Sequence, residues 1–188
     1  MARILWLIAV LLAPFHAARA EGDLDVLMAR MREVRATTGS FTEQRHLALL
    51  SAPLRASGRL VYVAPDRLRK ETLAPVPGLF DLDGDSLTVA GAGQPAQVLS
   101  LRRNPQIAAL AEGIRATLAG DLATLQRHHT VTLAGGAAGW TLLLAPRDRQ
   151  VREIISELRI SGVGWRVESI ETRAPGGDRT RMDITQDP

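Results

Sequence analysis

The 188-residue chain has no cysteine, one lysine and few aromatic side chains, and each shortage excludes something. Without cysteine there is no disulfide, no thiol nucleophile, no zinc-thiolate site and no lipid attached to an N-terminal Cys. Lys70 is the sole lysine, so the basic charge is almost all arginine, which stays protonated at every relevant pH. The formal net charge is only +3, and arginines alternate with Glu and Asp instead of gathering into a basic tract. That pattern suits a solvated sheet face and makes no nucleic-acid surface. The longest apolar run, Ile4 to Ala13, falls well short of the roughly 20 residues that a membrane-spanning helix needs.

That run is instead read as the core of an export signal. Arg3 is its positive start and Ala18-Arg19-Ala20 fits the small-x-small rule, so cleavage is expected after Ala20. No arginine pair precedes the run, which points to the general secretory route and a periplasmic destination. Losing Arg3 and Arg19 lowers the net charge by two. Residues 21–188 suit a single domain with a substantial core, and no repeat, linker or low-complexity tract divides them.

The pattern along the chain predicts a sheet with helical covers. Leu24, Leu27, Met28, Met31 and Val34 recur at helical spacing, which predicts a helix over 24–38 ending near Gly39. Strands are expected over 41–50, 54–63, 67–73, 78–82, 86–89 and 98–101, with Asp83-Gly84-Asp85 as a hairpin turn. Asn104-Pro105 starts a second helical region over 106–128, broken at Gly120-Asp121, whose stripe is Ile107, Leu110, Ala111, Ile114 and Leu118. Strands return over 130–133, 140–145, 154–160, 165–173 and 179–185, separated by turns at 135–136, 146–148 and 175–178.

An amphipathic helix followed by Phe41-Thr42-Glu43-Gln44-Arg45, then Gly58-Arg59-Leu60-Val61-Tyr62-Val63-Ala64-Pro65, resembles the LolA family of periplasmic lipoprotein carriers. The resemblance runs from about Leu24 to Ile184. It implies an α+β fold in which a strongly curved antiparallel sheet forms an incomplete barrel covered by a few helices. The implied function is binding acyl chains of lipoproteins in an apolar cavity and shuttling them from the inner to the outer membrane. The implied partners are an acylated lipoprotein or lipid cargo, an inner-membrane exporter and an outer-membrane acceptor, with the carrier itself a monomer. The missing cysteine sets it apart from the LolB-type receptor, which is itself a lipoprotein. Two departures point to a divergent member. Ala64 stands where the family has an arginine that latches the lid, and the chain stops at Pro188 without a further strand and tail. A carrier of another acylated lipid or lipid-pigment, or an RseB-like sensor of lipid or lipoprotein, are the alternatives.

The residues expected to line the cavity are Phe41, Leu60, Tyr62, Leu68, Phe80, Leu82, Leu142, Leu158, Trp165, Val167 and Met182 from the strands. Leu110, Ile114 and Leu118 are expected on the helical cover. A buried methylene is worth about 0.8 kcal/mol, so one long acyl chain contributes on the order of 10 kcal/mol. A carrier must match that burial without exceeding it, which favours aliphatic walls.

Enzymatic and metal readings are weaker. Gly84-Asp85-Ser86-Leu87 spells the tetrapeptide of the GDSL esterase family, but the chain's only Asn is Asn104, and no His follows His129. Without a base, Ser86 is an ordinary hydroxyl. Asp81, Asp83 and Asp85 alternate like calcium ligands, yet the place of the twelfth-position Glu holds Ala92. His128-His129 reads as a favourable helix end. No catalytic residue, metal or cofactor is expected.

Overall fold

The structure, a computed structural model, describes residues 15–91, 93–136 and 138–188. The apolar run of the expected export signal lies outside the described residues. The residues after it belong to helix α1 (Phe15–Glu33), and among the described residues no helix is long and apolar enough to cross a membrane.

Helix α1 ends six residues before Gly39, and strand β1 (Ala36–His46) begins where helix was expected. The reason lies in the branched residues Val34, Thr37 and Thr38, which favour an extended backbone. The ladder also extends back to here, with Ala64 N–H donating to the Arg35 carbonyl at 2.8 Å. Gly39 is therefore no helix cap. A Cβ on it would stand 2.6 Å from the Thr185 carbonyl oxygen, so it is a strand glycine set by close backbone approach.

Strands β2 (Leu54–Val63), β3 (Arg67–Ala74), β4 (Gly78–Asp83), β5 (Ser86–Gly91) and β6 (Gln94–Ser100) follow as a meander. A 3-10 turn (Leu101–Arg103) leads into α2 (Pro105–Leu118) and α3 (Leu122–His128). Asp121 caps α3, accepting from the Thr124 backbone N–H at 3.0 Å. Strands β7 (His129–Gly136) and β8 (Gly139–Pro146) form a second hairpin. The short helix α4 (Arg149–Arg152) comes next, where only a turn was read. Its N-cap is Asp148, whose carboxylate accepts from Gln150 and Val151. Strands β9 (Glu157–Val163), β10 (Arg166–Arg173) and β11 (Arg179–Gln186) complete the chain.

Among the described residues, eleven strands join one antiparallel sheet in the order β6-β5-β4-β3-β2-β1-β11-β10-β9-β8-β7. β6 and β7 are its free edges, so the sheet curves without closing: an α+β incomplete barrel. The two-residue period sorts side chains onto two faces. The outer face carries ion pairs, among them Arg173 and Arg181 on Glu171 and Arg67 and Arg69 on Asp81.

The concave face is covered unevenly. Leu24, Leu27, Met28 and Met31 of α1 pack on Trp140, Leu142, Leu144, Leu158 and Ile160 of β8 and β9. A smaller cluster of Leu82, Leu87, Leu101 and Ala111 seals the other flank. Helix α2 contributes to both clusters, Ala116 to the first and Ala111 to the second, and so strides across the trough between them.

Candidate functional site

Under α2 the middle strands are not packed to the helix, and a cavity of about 480 Å³ remains. Its floor comes from β1, β2, β3, β4, β10 and β11, and its roof is the stripe Ile107, Leu110, Ile114 and Leu118. That stripe stays half-buried although it faces the sheet. Helical spacing puts these four side chains on one face, and the side chains of the floor do not reach up to fill the space beneath them.

Of the residues expected from the sequence, Leu60, Tyr62, Leu68, Phe80, Leu110, Ile114, Leu118, Val167 and Met182 line this cavity. Five are placed elsewhere. Phe41 is on the concave face but sealed, its ring edge against Gly58 and its face under the Lys70 ammonium. Leu82 faces the same way and is fully covered by Leu87, Leu101 and Ala111. Leu142 and Leu158 share that face too, but the α1 cluster closes over them. Trp165 sits in the β9–β10 turn, 44% exposed, with the Arg166 guanidinium 5.9 Å from its ring. For those four sealed residues, strand alternation gives the face but not what lies over it.

Sequence reasoning missed the charged group in the lining. Glu43 and Arg45 follow Phe41 at the two-residue period, and Lys70 follows Leu68 likewise, so alternation alone could have found all three. Glu43 is only 6% exposed. One of its carboxylate oxygens accepts from Lys70 Nζ and the other lies 3.5 Å from an Arg45 guanidinium nitrogen. The Lys70 ammonium stands over Phe41, 4.9 Å from the ring centroid. Ile155, Ile170, Ile184, Thr172, Thr180 and Gln186 also belong to the wall, as do Thr37, Thr38, Gly39, Val61 and Ala111.

The charge is confined to one end. Arg45 pairs across the ladder with Thr180, which pairs with Thr172; Glu43 pairs with Met182, and Met182 with Ile170. At the opposite end Tyr62 pairs with Thr37 and Leu68. The Tyr62 hydroxyl is buried without a hydrogen-bond partner among the described residues, and burial, with Asp66 nearby, raises the phenol above its ordinary pKa.

The other histidine and serine candidates have structural positions. His129 is no charged helix end: it opens β7 almost fully buried beside Gly113, and burial, with His128 adjacent, lowers its pKa to about 4. Ser86 pairs with Asp83 and Ser100 on neighbouring strands. Asp85 accepts from the Ser100 hydroxyl and the Arg102 backbone, which lowers its carboxyl pKa.

The fold is similar to that of the LolA superfamily protein from Nitrosomonas europaea, at 11% identity over 88% of this chain and 91% of that one, with a TM-score of 0.44. It is also similar to a chain of the Pseudomonas aeruginosa MucA/MucB complex, at 14% identity and a TM-score of 0.45. There 90% of this chain is covered, and it spans 58% of the other's length. A DUF1329 family protein from Desulfovibrio piger shares 12% identity over 89% of this chain and 90% of that one, with a TM-score of 0.42. No protein of curated function matches. Residues 16–185 match the family described as outer membrane lipoprotein carrier protein LolA-like. By that match over nearly its whole length, the chain belongs to the LolA-like family.

Proposed function

We propose that this protein is a non-enzymatic periplasmic carrier that takes acyl chains of a lipoprotein or another acylated lipid into the cavity beneath α2. The single observation that carries the reading is the unfilled apolar trough between the sheet and the half-buried stripe of α2. Protein interiors close to crystal-like density, so an apolar gap this large leaves dispersion contacts unmade until something enters. An acyl chain supplies those contacts and leaves water at the same step. The aliphatic wall makes few directional bonds, so the chain can also leave. An inner-membrane donor and an outer-membrane recipient are the partners such a carrier requires.

Native mass spectrometry of the protein purified from its own periplasm tests this, with any bound species identified after denaturation. The expected result is an adduct carrying fatty-acyl chains. An empty protein that takes up no lipid on titration overturns the carrier reading.

A further inference from the structure

We propose that the cavity is selective for amphiphiles with one anionic head group, held by Lys70 and Arg45, with the tail under α2. The proposal rests on the carrier reading and names the class of cargo. Its first ground is the charge of the lining. Glu43, Arg45 and Lys70 are the only fully charged side chains among the described residues of the wall, two cations against one anion. An additional negative group would bring the cluster to neutrality.

The second ground is donor capacity. Lys70 has three N–H donors and Arg45 five, while Glu43 takes one from Lys70 and stands 3.5 Å from Arg45. Donors on both cations therefore remain for a further oxygen ligand. The third is the layout along the ladder. The ionic cluster lies with the hydroxyls of Thr172 and Thr180, and Leu60, Leu68, Leu110, Ile114 and Leu118 lie along the middle. The far end, with Thr37, Thr38, Gln186 and the Tyr62 hydroxyl, is polar but carries no charge. An amphiphile with one charged end has this same division of charge.

The fourth ground is cost. A carrier for bare hydrocarbon gains nothing from ions in its wall, and taking them out of water is unfavourable. Arg45 stays half in solvent at the rim, with 52% of its side chain exposed, where a head group enters last and leaves first. Carboxylates and phosphate diesters share the necessary chemistry.

Isothermal titration of the purified protein decides between the alternatives, using oleate, oleyl alcohol and 1-oleoyl-lysophosphatidylglycerol, all single-tailed, below their aggregation concentrations. Oleate and oleyl alcohol have the same tail, so their ratio isolates the head group. The expected result is at least tenfold tighter binding of oleate, with the preference falling to under threefold in Arg45→Gln and in Lys70→Met and persisting in Lys70→Arg. Arg45 lies at the exposed rim, so its variant keeps the test valid if Lys70→Met does not fold. Tighter binding of the lysophosphatidylglycerol than of oleate, at equal tail number, supports the proposal and assigns a phosphate source; the reverse order assigns a carboxylate. Equal binding of oleate and oleyl alcohol overturns the head-group assignment and leaves the carrier standing. No uptake of any of the three overturns both.

Discussion

The Lys70 ammonium stands 4.9 Å from the centroid of the Phe41 ring and from there donates to Glu43. Strand registry explains how a β3 side chain reaches β1: Lys70 is opposite Leu60, Leu60 is opposite Gly39, and Gly58 opposite Phe41 has no side chain to intervene. The sole lysine of the chain thus closes over the aromatic of the Phe41-Thr42-Glu43-Gln44 motif.

Removing one partner of this pair should cost more than removing both. Lys70→Met leaves Glu43 buried with only Arg45 nearby, and a loss of about 1–3 kcal/mol is expected in urea denaturation. The double variant Lys70→Met with Glu43→Leu should recover most of that loss. Additive costs in the double variant would show that the two side chains do not interact.

Gly58→Ala should be among the harsher single changes. The added Cβ would lie 1.9 Å from the Glu71 carbonyl oxygen and 2.9 Å from the Phe41 ring, at the point where the β2–β3 register slips. Backbone must move, so a loss of about 2–4 kcal/mol is expected. Gly176→Ala, where a Cβ meets nothing within 4 Å, should leave the denaturation midpoint nearly unchanged.

His129 makes stability depend on pH. Its pKa is about 4 when folded, against 6.5 as the ordinary value. Between those values the unfolded chain binds a proton that the folded chain refuses, so stability falls as pH falls, by on the order of 3 kcal/mol once pH is below 4. Denaturation midpoints of wild type and His129→Leu, compared at pH 7 and pH 4.5, check this. The drop should be smaller in the variant, and parallel drops would exclude the histidine as its source.

Filling the trough should stop uptake without unfolding the protein. Ile114 on α2 is half-buried with the cavity in front of it. Ile114→Trp is expected to weaken binding of a fluorescent fatty-acyl probe by tenfold or more, with stability held within about 1.5 kcal/mol. Undiminished uptake by a folded variant would place the acyl site elsewhere.

Much of the architecture follows from local pattern. Leu54 to Val63, ending in the β-favouring run Leu60-Val61-Tyr62-Val63, forms a strand over that span, and Asn104-Pro105 opens α2. The beginning of β1 was hidden because Leu27, Met31 and Val34 continue a helical period into residues whose branched side chains and ladder partners make them extended. Helix α4 was hidden because four residues are too few to show a period, and only the Asp148 cap marks it.

Sequence by itself determined the cysteine-free chemistry, the family motifs and the face taken by strand residues away from the register shifts, because a regular pleated strand alternates. At the shift between Val167 and Ser169 the period breaks, and Val167 and Ile170 both reach the cavity. Tertiary structure alone decided which inward residues meet a neighbour and which meet a void. Leu142, Leu158 and Leu68 all face inward; α1 closes over the first two, while Leu68 is left at the cavity. The same is true of charge. Glu43, Arg45 and Lys70 carry their charges in the sequence, but only the folding of β3 beside β2 and β1 sets them at one end of an apolar trough. Burial and contact depend on what a distant segment brings, and no local period contains that information.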